Sequence, residues 1–199
     1  MEFSQWESLK PKTPYGQLPI MTMNKKSTES NESETISMTQ SDAMLRFAGR
    51  LDSSDKLYPA SLRTQIDEAI GLIADLDRQW RPALYIGMSK GLKAFGYPDD
   101  ISKEDAEGLK KKLRENFLAE DLPRFLGYFE AMLTKSGGPF LFGANPTIAD
   151  CQLLPTLRKY QKGYIDYVPK SSLDINPVVS KYIVDMLSIP KIKDWYSAH

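Results

Sequence analysis

The sequence predicts an α+β chain, a small strand pair joined to a helical bundle. Three observations lead there. Two short apolar runs, residues 18–23 and 36–38, flank a polar insert near the N-terminus. From Gln40 onward the apolar residues recur at helical spacing. Two capping-box patterns, Ser102-x-x-Asp105 and Thr147-x-x-Asp150, open helical stripes.

The strand pair comes first. Gly16-Gln17-Leu18-Pro19 is a turn signal that feeds the first apolar run. The insert, residues 25–35, reads KKSTESNESET and cannot bury a face. It is expected to be a mobile loop joining two antiparallel strands. Pro19 stands where a strand begins, the place where its missing N–H costs least. A cis Leu18–Pro19 bond would turn the chain sharply and leave the Leu18 N–H and C=O facing outward. Such an edge can pair with a peptide-like ligand as an added strand. A trans bond is the commoner state of any X–Pro pair.

The helices follow in order. Ser41 is a good N-cap for a helix carrying Met44, Ala48 and Leu51 on one face. Leu57-Tyr58-Pro59 breaks the pattern. Leu62, Ile66, Ala69, Ile70, Ile73, Leu76 and Trp80 then form a long stripe, with Pro82 expected to kink or end it. Ser102 and Asp105 open the next stripe, which runs through Leu109, Leu113, Phe117, Phe125, Phe129 and Leu133. Pro123 falls inside and is expected to bend it. Gly137-Gly138-Pro139 stops it. Further helical stretches cover 147–161 and 177–187, with a short finish at 192–196. Most of these stripes read as core. Cys151 is likewise expected to pack inside. Trp80, Tyr85 and Trp195 could line a small-molecule pocket, with core packing the default for each.

Composition excludes several functions. The chain has 199 residues, 41% of them hydrophobic, enough to bury a core. Lys+Arg and Asp+Glu both number 26, so the net charge is zero and the basic excess of a nucleic-acid binder is missing. No apolar run approaches the roughly 18 residues of a membrane span. The only cysteine is Cys151 and the only histidine is His199, so neither a disulfide framework nor a zinc cluster is expected. One unpaired cysteine fits a reducing cytosol.

The motif with chemical content is Gln40-Ser41 at a helix start, where free N–H groups and the helix dipole favour an anion. A serine there can donate to a ligand carboxylate, or merely cap its own helix.

Taken in order, these pieces resemble the glutathione transferase family. Trp6, Lys10 and Gln17-Leu18-Pro19 look like its sigma-like pattern of Trp, Lys and Gln-x-Pro. Gln40-Ser41-Asp42-Ala43 looks like its QS-x-A helix start, and Leu57-Tyr58-Pro59 like its linker. FLFGANPTIADC is similar to its C-terminal capping-box motif, and IPKIKDWYSAH to its final IP-x-x-x-x-W segment.

The resemblance implies a thioredoxin-like N-terminal domain and an all-helical C-terminal domain, in a cytoplasmic homodimer. Residues 1–52 would form a partial thioredoxin-like, glutathione-binding domain, 53–60 a linker and 61–199 the helical domain. Only MEFSQ precedes Trp6, so the resemblance implies an N-terminally truncated first domain, without the first strand and helix. The implied activity is conjugation of the glutathione thiol to electrophiles, with glutathione as co-substrate and no metal. The implied partners are glutathione and a small electrophile, with no nucleic acid and no membrane. Leu18 would pair its backbone with the cysteinyl part of glutathione, beside a cis Pro19. Gln40 and Ser41 would hold the γ-glutamyl carboxylate. Trp6, Lys10 and Gln17 would hold the glycyl end. Asp75 would reach the γ-glutamyl amine across a dimer interface, with Asp67 and Asp77 as alternatives. Thr147 and Asp150 would form a structural capping box. The family's thiol-activating hydroxyl finds no aligned position, and the catalytic residue is left unassigned. Ser4 and Tyr15 are nearby hydroxyls that do not align. The alternative is a non-catalytic module of the same family, used for dimerisation or ligand binding.

Overall fold

The computed structural model describes residues 3–26, 33–88, 92–98 and 100–198. The chain divides into two compact units, 1–58 and 59–199.

Among the described residues the first unit holds one two-stranded sheet and two α-helices. Helix α1 (Phe3–Leu9) was not expected from the sequence, whose short apolar runs there carry no period. Strands β1 (Ile20–Lys26) and β2 (Ser33–Thr39) pair antiparallel from Ile20↔Thr39 to Lys26↔Ser33. The ladder thus takes in residues at both ends of the polar insert, because a backbone ladder needs no apolar side chains. The rest of the insert, 27–32, lies outside the described residues. Helix α2 (Ser41–Arg50) follows.

Asp52 then organises the chain that leaves α2. Its carboxylate accepts bonds from the Ser54 hydroxyl at 2.7 Å and from the backbone N–H groups of Ser54, Lys56 and Leu57. The Ser54 hydroxyl first, then these amides, hold Asp52 far below the usual carboxylate range.

The second unit is helical. Helix α3 (Arg63–Gly87) buries Ile66, Ala69, Ile70, Ile73, Leu76, Trp80 and Ala83, the periodic face that the sequence marks. Each large aliphatic side chain on it contributes roughly 1.5–3 kcal/mol by leaving water. This face packs on α6 (Ile148–Arg158) and α4 (Lys103–Asn116). Pro82 does not end α3. It removes only the bond that would run to the Arg78 carbonyl, and the helix continues to Gly87.

Pro123 acts differently. Between α4 and α5 (Leu122–Ser136) the chain adopts a π turn over Phe117–Asp121, in which the Leu122 N–H bonds the Phe117 carbonyl. The wider turn changes register just before the proline, whose missing N–H then falls in the first turn of α5. Trp80, Phe117 and Tyr160 meet at centroid distances of 5.0–5.4 Å and tie α3, the π turn and the end of α6 together. Helices α7 (Pro177–Ser188) and α8 (Pro190–Ala198) close the unit.

The Thr147–Asp150 capping box is formed. Asp150 is fully buried. It accepts from the Thr147 N–H at 2.7 Å, the Thr147 hydroxyl at 2.9 Å and the Leu141 N–H at 3.0 Å. Burial pushes its carboxyl above the ordinary value, and these three bonds oppose the shift.

Two outcomes follow. Asp150→Ala leaves two buried N–H groups without a partner, and chemical denaturation should show a loss of about 2–4 kcal/mol. Asp52 behaves oppositely to a buried acid, because its folded pKa lies below the ordinary 3.8. Its stabilising effect is complete above that value and drains away as pH falls below it. Asp52→Asn should lower the melting temperature near neutral pH, and the difference from the parent should shrink on acidification below about pH 4.

Candidate functional site

The first unit gathers most of the residues the sequence singled out. Lys10 opens a short 3-10 turn, Lys10–Lys12, that follows α1. A second turn, Pro14–Gly16, carries Tyr15 at φ 57 and Gly16 at φ 60. Two successive left-handed residues reverse the chain, and glycine removes the steric cost at one of them. The Lys10 side chain lies over that glycine, since a Cβ there would stand 3.5 Å from the Lys10 Cε. The turn delivers Gln17, and the Leu18–Pro19 bond is cis. Leu18 is 46% exposed.

β1 begins one residue later, so Pro19 takes no place in the ladder. The register Ile20↔Thr39 brings the start of β1 beside the end of β2. There the Gln40 Nε2 donates to Gln17 Oε1 at 3.2 Å, although 23 residues separate them. Gln17, Leu18, Pro19, Gln40 and Ser41 thus belong to one exposed end of the sheet. Trp6 lies on α1, half-buried.

The cap of α2 differs from expectation. Gln40, not Ser41, is the N-cap, at φ 70, and its carbonyl accepts from Ala43 and Met44. Ser41 is the first helical residue. It is exposed at the start of α2.

The acidic candidates lie on α3, in the second unit. Asp75 pairs with Arg78 and lines an open groove of about 900 Å³ between α3 and α5. Glu68, Tyr128, Met132 and Lys135 share that groove. Asp77 is committed elsewhere. It pairs with Lys159 and lines a second cavity on another face of α3. Asp67 is half-buried and already engaged.

Three expectations about packing need correction. Cys151 is exposed, not a core cysteine, because its position on α6 falls outside the face that packs on α3. Burial of the sulfur and then the Asp150 charge still push its thiol up to about 11. Trp195, on the short α8, is 56% exposed, and Tyr85 lies at the exposed end of α3. Trp80 alone of the three aromatic candidates is core.

Sequence reading missed Arg81, Arg114 and Lys159, which meet around the second cavity. They stand on three different elements, so no local spacing joins them in the sequence. Tyr15 is 79% exposed and carries no assigned role. Among the described residues no cluster of His, Cys, Asp and Glu could hold a metal ion, and no helix is long and apolar enough to cross a membrane.

Residues 99–199 match the family described as Glutathione S-transferase, C-terminal domain. The chain is similar to Glutathione S-transferase 1 of Ascaris suum, at 26% identity over 190 residues, 96% of this chain and 77% of that protein. Its fold is similar to the crystal structure of a glutathione S-transferase from Ascaris lumbricoides, with a TM-score of 0.70 at 24% identity, covering 100% of this chain and 82% of that one. It is also similar to that of a Caenorhabditis elegans glutathione S-transferase, with a TM-score of 0.71 at 23% identity, covering 98% and 80%.

The Cys151 geometry has a measurable consequence. Its side chain is reachable, yet with a pKa of about 11 little thiolate exists at neutral pH. Alkylation by iodoacetamide should be slow near neutral pH and rise about tenfold per unit of pH through the alkaline range. Rapid neutral-pH labelling would show an ionised thiol instead.

Proposed function

Because the chain belongs to the glutathione S-transferase family, we propose that it binds glutathione at the sheet end of its first unit and joins glutathione, through its thiol sulfur, to electrophilic small molecules. The observation that carries this reading is the Gln40–Gln17 bond. It groups the exposed Leu18, two amide side chains and a helix N-terminus at one end of the sheet.

Each group has a role in the proposal. Leu18 offers its N–H and C=O to the cysteinyl part of the tripeptide, as an added strand would take them. Gln40, the Ser41 hydroxyl and the α2 N-terminus hold the γ-glutamyl carboxylate, where free N–H groups and the helix dipole favour an anion. Trp6, Lys10 and Gln17 hold the glycyl end, with Lys10 supplying the charge opposite that carboxylate.

In the transfer, the glutathione thiolate attacks an electrophilic carbon and forms a C–S bond. The leaving group departs with the electron pair of the bond that breaks, and the thiol proton passes to solvent. A free thiol has a pKa of about 8.5, so the step gains from any donor that favours the anion. No residue is assigned that task.

The reading extends to assembly. A two-fold pair of chains facing across the α3–α5 groove would bring Glu68 and Asp75 of one copy toward Lys135 of the other. In this reading Asp75, which pairs with Arg78 on its own helix, is the acid that reaches the γ-glutamyl amine of a neighbouring copy, while Asp77 holds Lys159 on another face of α3. A cytoplasmic setting completes the proposal, where glutathione and reduced thiols are maintained.

Calorimetry with glutathione tests the binding step, and the absorbance change of an activated aryl halide tests transfer. Ser41→Ala and Gln40→Ala should each raise the dissociation constant for glutathione about tenfold, the size of one charge-assisted hydrogen bond. Absence of glutathione binding by the parent chain overturns the proposal. Lys135→Glu should shift the chain toward monomer in sedimentation. A parent chain that sediments as a monomer removes the dimer.

A further inference from the structure

The segment that follows the end of α6 carries contacts that the proposed transfer reaction leaves without a role. It runs between two buried anchors, Tyr160 and Val168. None of residues 162–167 is itself buried. Gly163 at φ 71 and Tyr167 at φ 58 are both left-handed, a rare conformation for a side chain as large as tyrosine. With so little apolar burial, polar contacts decide whether this stretch stays on the helical unit.

Those contacts form one latch onto α4. Tyr167 Oη donates to Glu107 Oε1 at 2.7 Å. Lys110 Nζ lies 2.7 Å from the Glu107 carboxylate and 3.1 Å from that of Asp166. Arg114, almost fully buried, donates to the Asp166 carbonyl at 2.9 Å and faces its carboxylate at 3.7 Å. The ammonium groups of Lys110 and Lys111 stand 5.8 and 5.9 Å from the centre of the Tyr167 ring. Tyr167 is 39% exposed, so its hydroxyl lies at the wet edge of the latch.

The latch tolerates a phenol at that position and not a phosphate. The hydroxyl proton is what bonds Glu107, and a phosphate ester has no such proton. Its oxygens would meet the Glu107 carboxylate where Oη now stands 2.7 Å away. A phosphotyrosine carries close to two negative charges, and beside acids it disrupts by like-charge repulsion. Lys110 and Lys111 are near enough to be drawn to the new charge. Lys110 would then leave the two carboxylates it now bridges.

We propose that Tyr167 is a phosphorylation site, and that phosphate on its hydroxyl releases residues 162–167 from α4. A tyrosine-directed kinase supplies the group from a nucleoside triphosphate. The Tyr167 oxygen forms a bond to the γ-phosphorus, and the bond from that phosphorus to the β-phosphate oxygen breaks. The nucleoside diphosphate leaves with the electron pair, and the phenol proton passes to a base of the kinase. The segment offers Tyr167 to the kinase in its transiently opened state, and the phosphate then prevents its return. This switch requires neither glutathione nor thiol transfer, so it stands or falls separately from the proposed reaction.

The full chain is incubated with a broad-specificity tyrosine kinase domain and magnesium ATP, and the product is mapped by mass spectrometry. Tyr167 should be labelled in the folded chain. A second sample carries phosphotyrosine installed at position 167 during synthesis. Its amides in residues 162–168 should exchange hydrogen about tenfold faster than in the unmodified chain, as loss of a hydrogen bond to a charged group implies. Phosphatase treatment should restore the slow rate. In Glu107→Gln, which keeps an acceptor and removes the repelling charge, the same phosphate should raise exchange only about threefold. Tyr167→Phe should give no kinase product at this position. Circular dichroism checks that each form is folded. The proposal is overturned if the kinase leaves Tyr167 unmodified, or if installed phosphate leaves exchange in residues 162–168 unchanged or slower. It is equally overturned if Glu107→Gln shows the full rise.

Discussion

The helical unit depends on the carboxylate of Asp150. A fully buried acid is costly unless its lone pairs are satisfied. Here one oxygen accepts from the backbone and hydroxyl of Thr147, and the other from the Leu141 N–H. The first pair of bonds starts α6. The last ties that start to the small bridge in which Phe140 and Gly143 exchange backbone bonds at 3.2 Å. That bridge is tight. A Cβ on Gly138 would stand 2.4 Å from the Gly143 carbonyl, which is why a glycine precedes Pro139. The Tyr182 hydroxyl then bonds the Asp150 carbonyl from α7. One side chain thus sets the entry, the angle and part of the packing of the helix that covers α3.

The unit handles its other buried charge in the same way. Arg114 sits almost fully buried between the end of α3 and the 164–166 segment. Burial pulls its pKa below the ordinary value, and Asp166 and Glu107 oppose the change. Its hydrogen bonds go to two carbonyls, so the guanidinium serves as a strut as well as a charge.

The two prolines of the long helices show how local rules meet tertiary packing. Pro82 and Pro123 carry the same defect, a missing N–H. Pro82 falls in a helix with a buried face on both sides of it, and the helix continues past it to Gly87. Pro123 falls where α4 gives way to α5, and the chain absorbs it with a wider turn. Ser41 and Gln40 differ from expectation for a related reason. Serine is the better cap by propensity. The ladder ends at Thr39, though, so Gln40 makes the bend into α2 and becomes the cap.

By itself the sequence determined the strand pair, the periodic core face of α3, the N-cap at Ser102, the capping box at Thr147, and the residues around Gln17 and Gln40. Each rests on local spacing, and local spacing fixes which residues face together along one element. Tertiary structure decided what spacing does not encode. It joined Gln17 to Gln40 across 23 residues, left Cys151 and Trp195 at the surface, and gave Asp77 to Lys159 and Asp75 to the α3–α5 groove. Those outcomes depend on which element lies opposite. A helical repeat shows that a face exists, but only the packed chain supplies its neighbour.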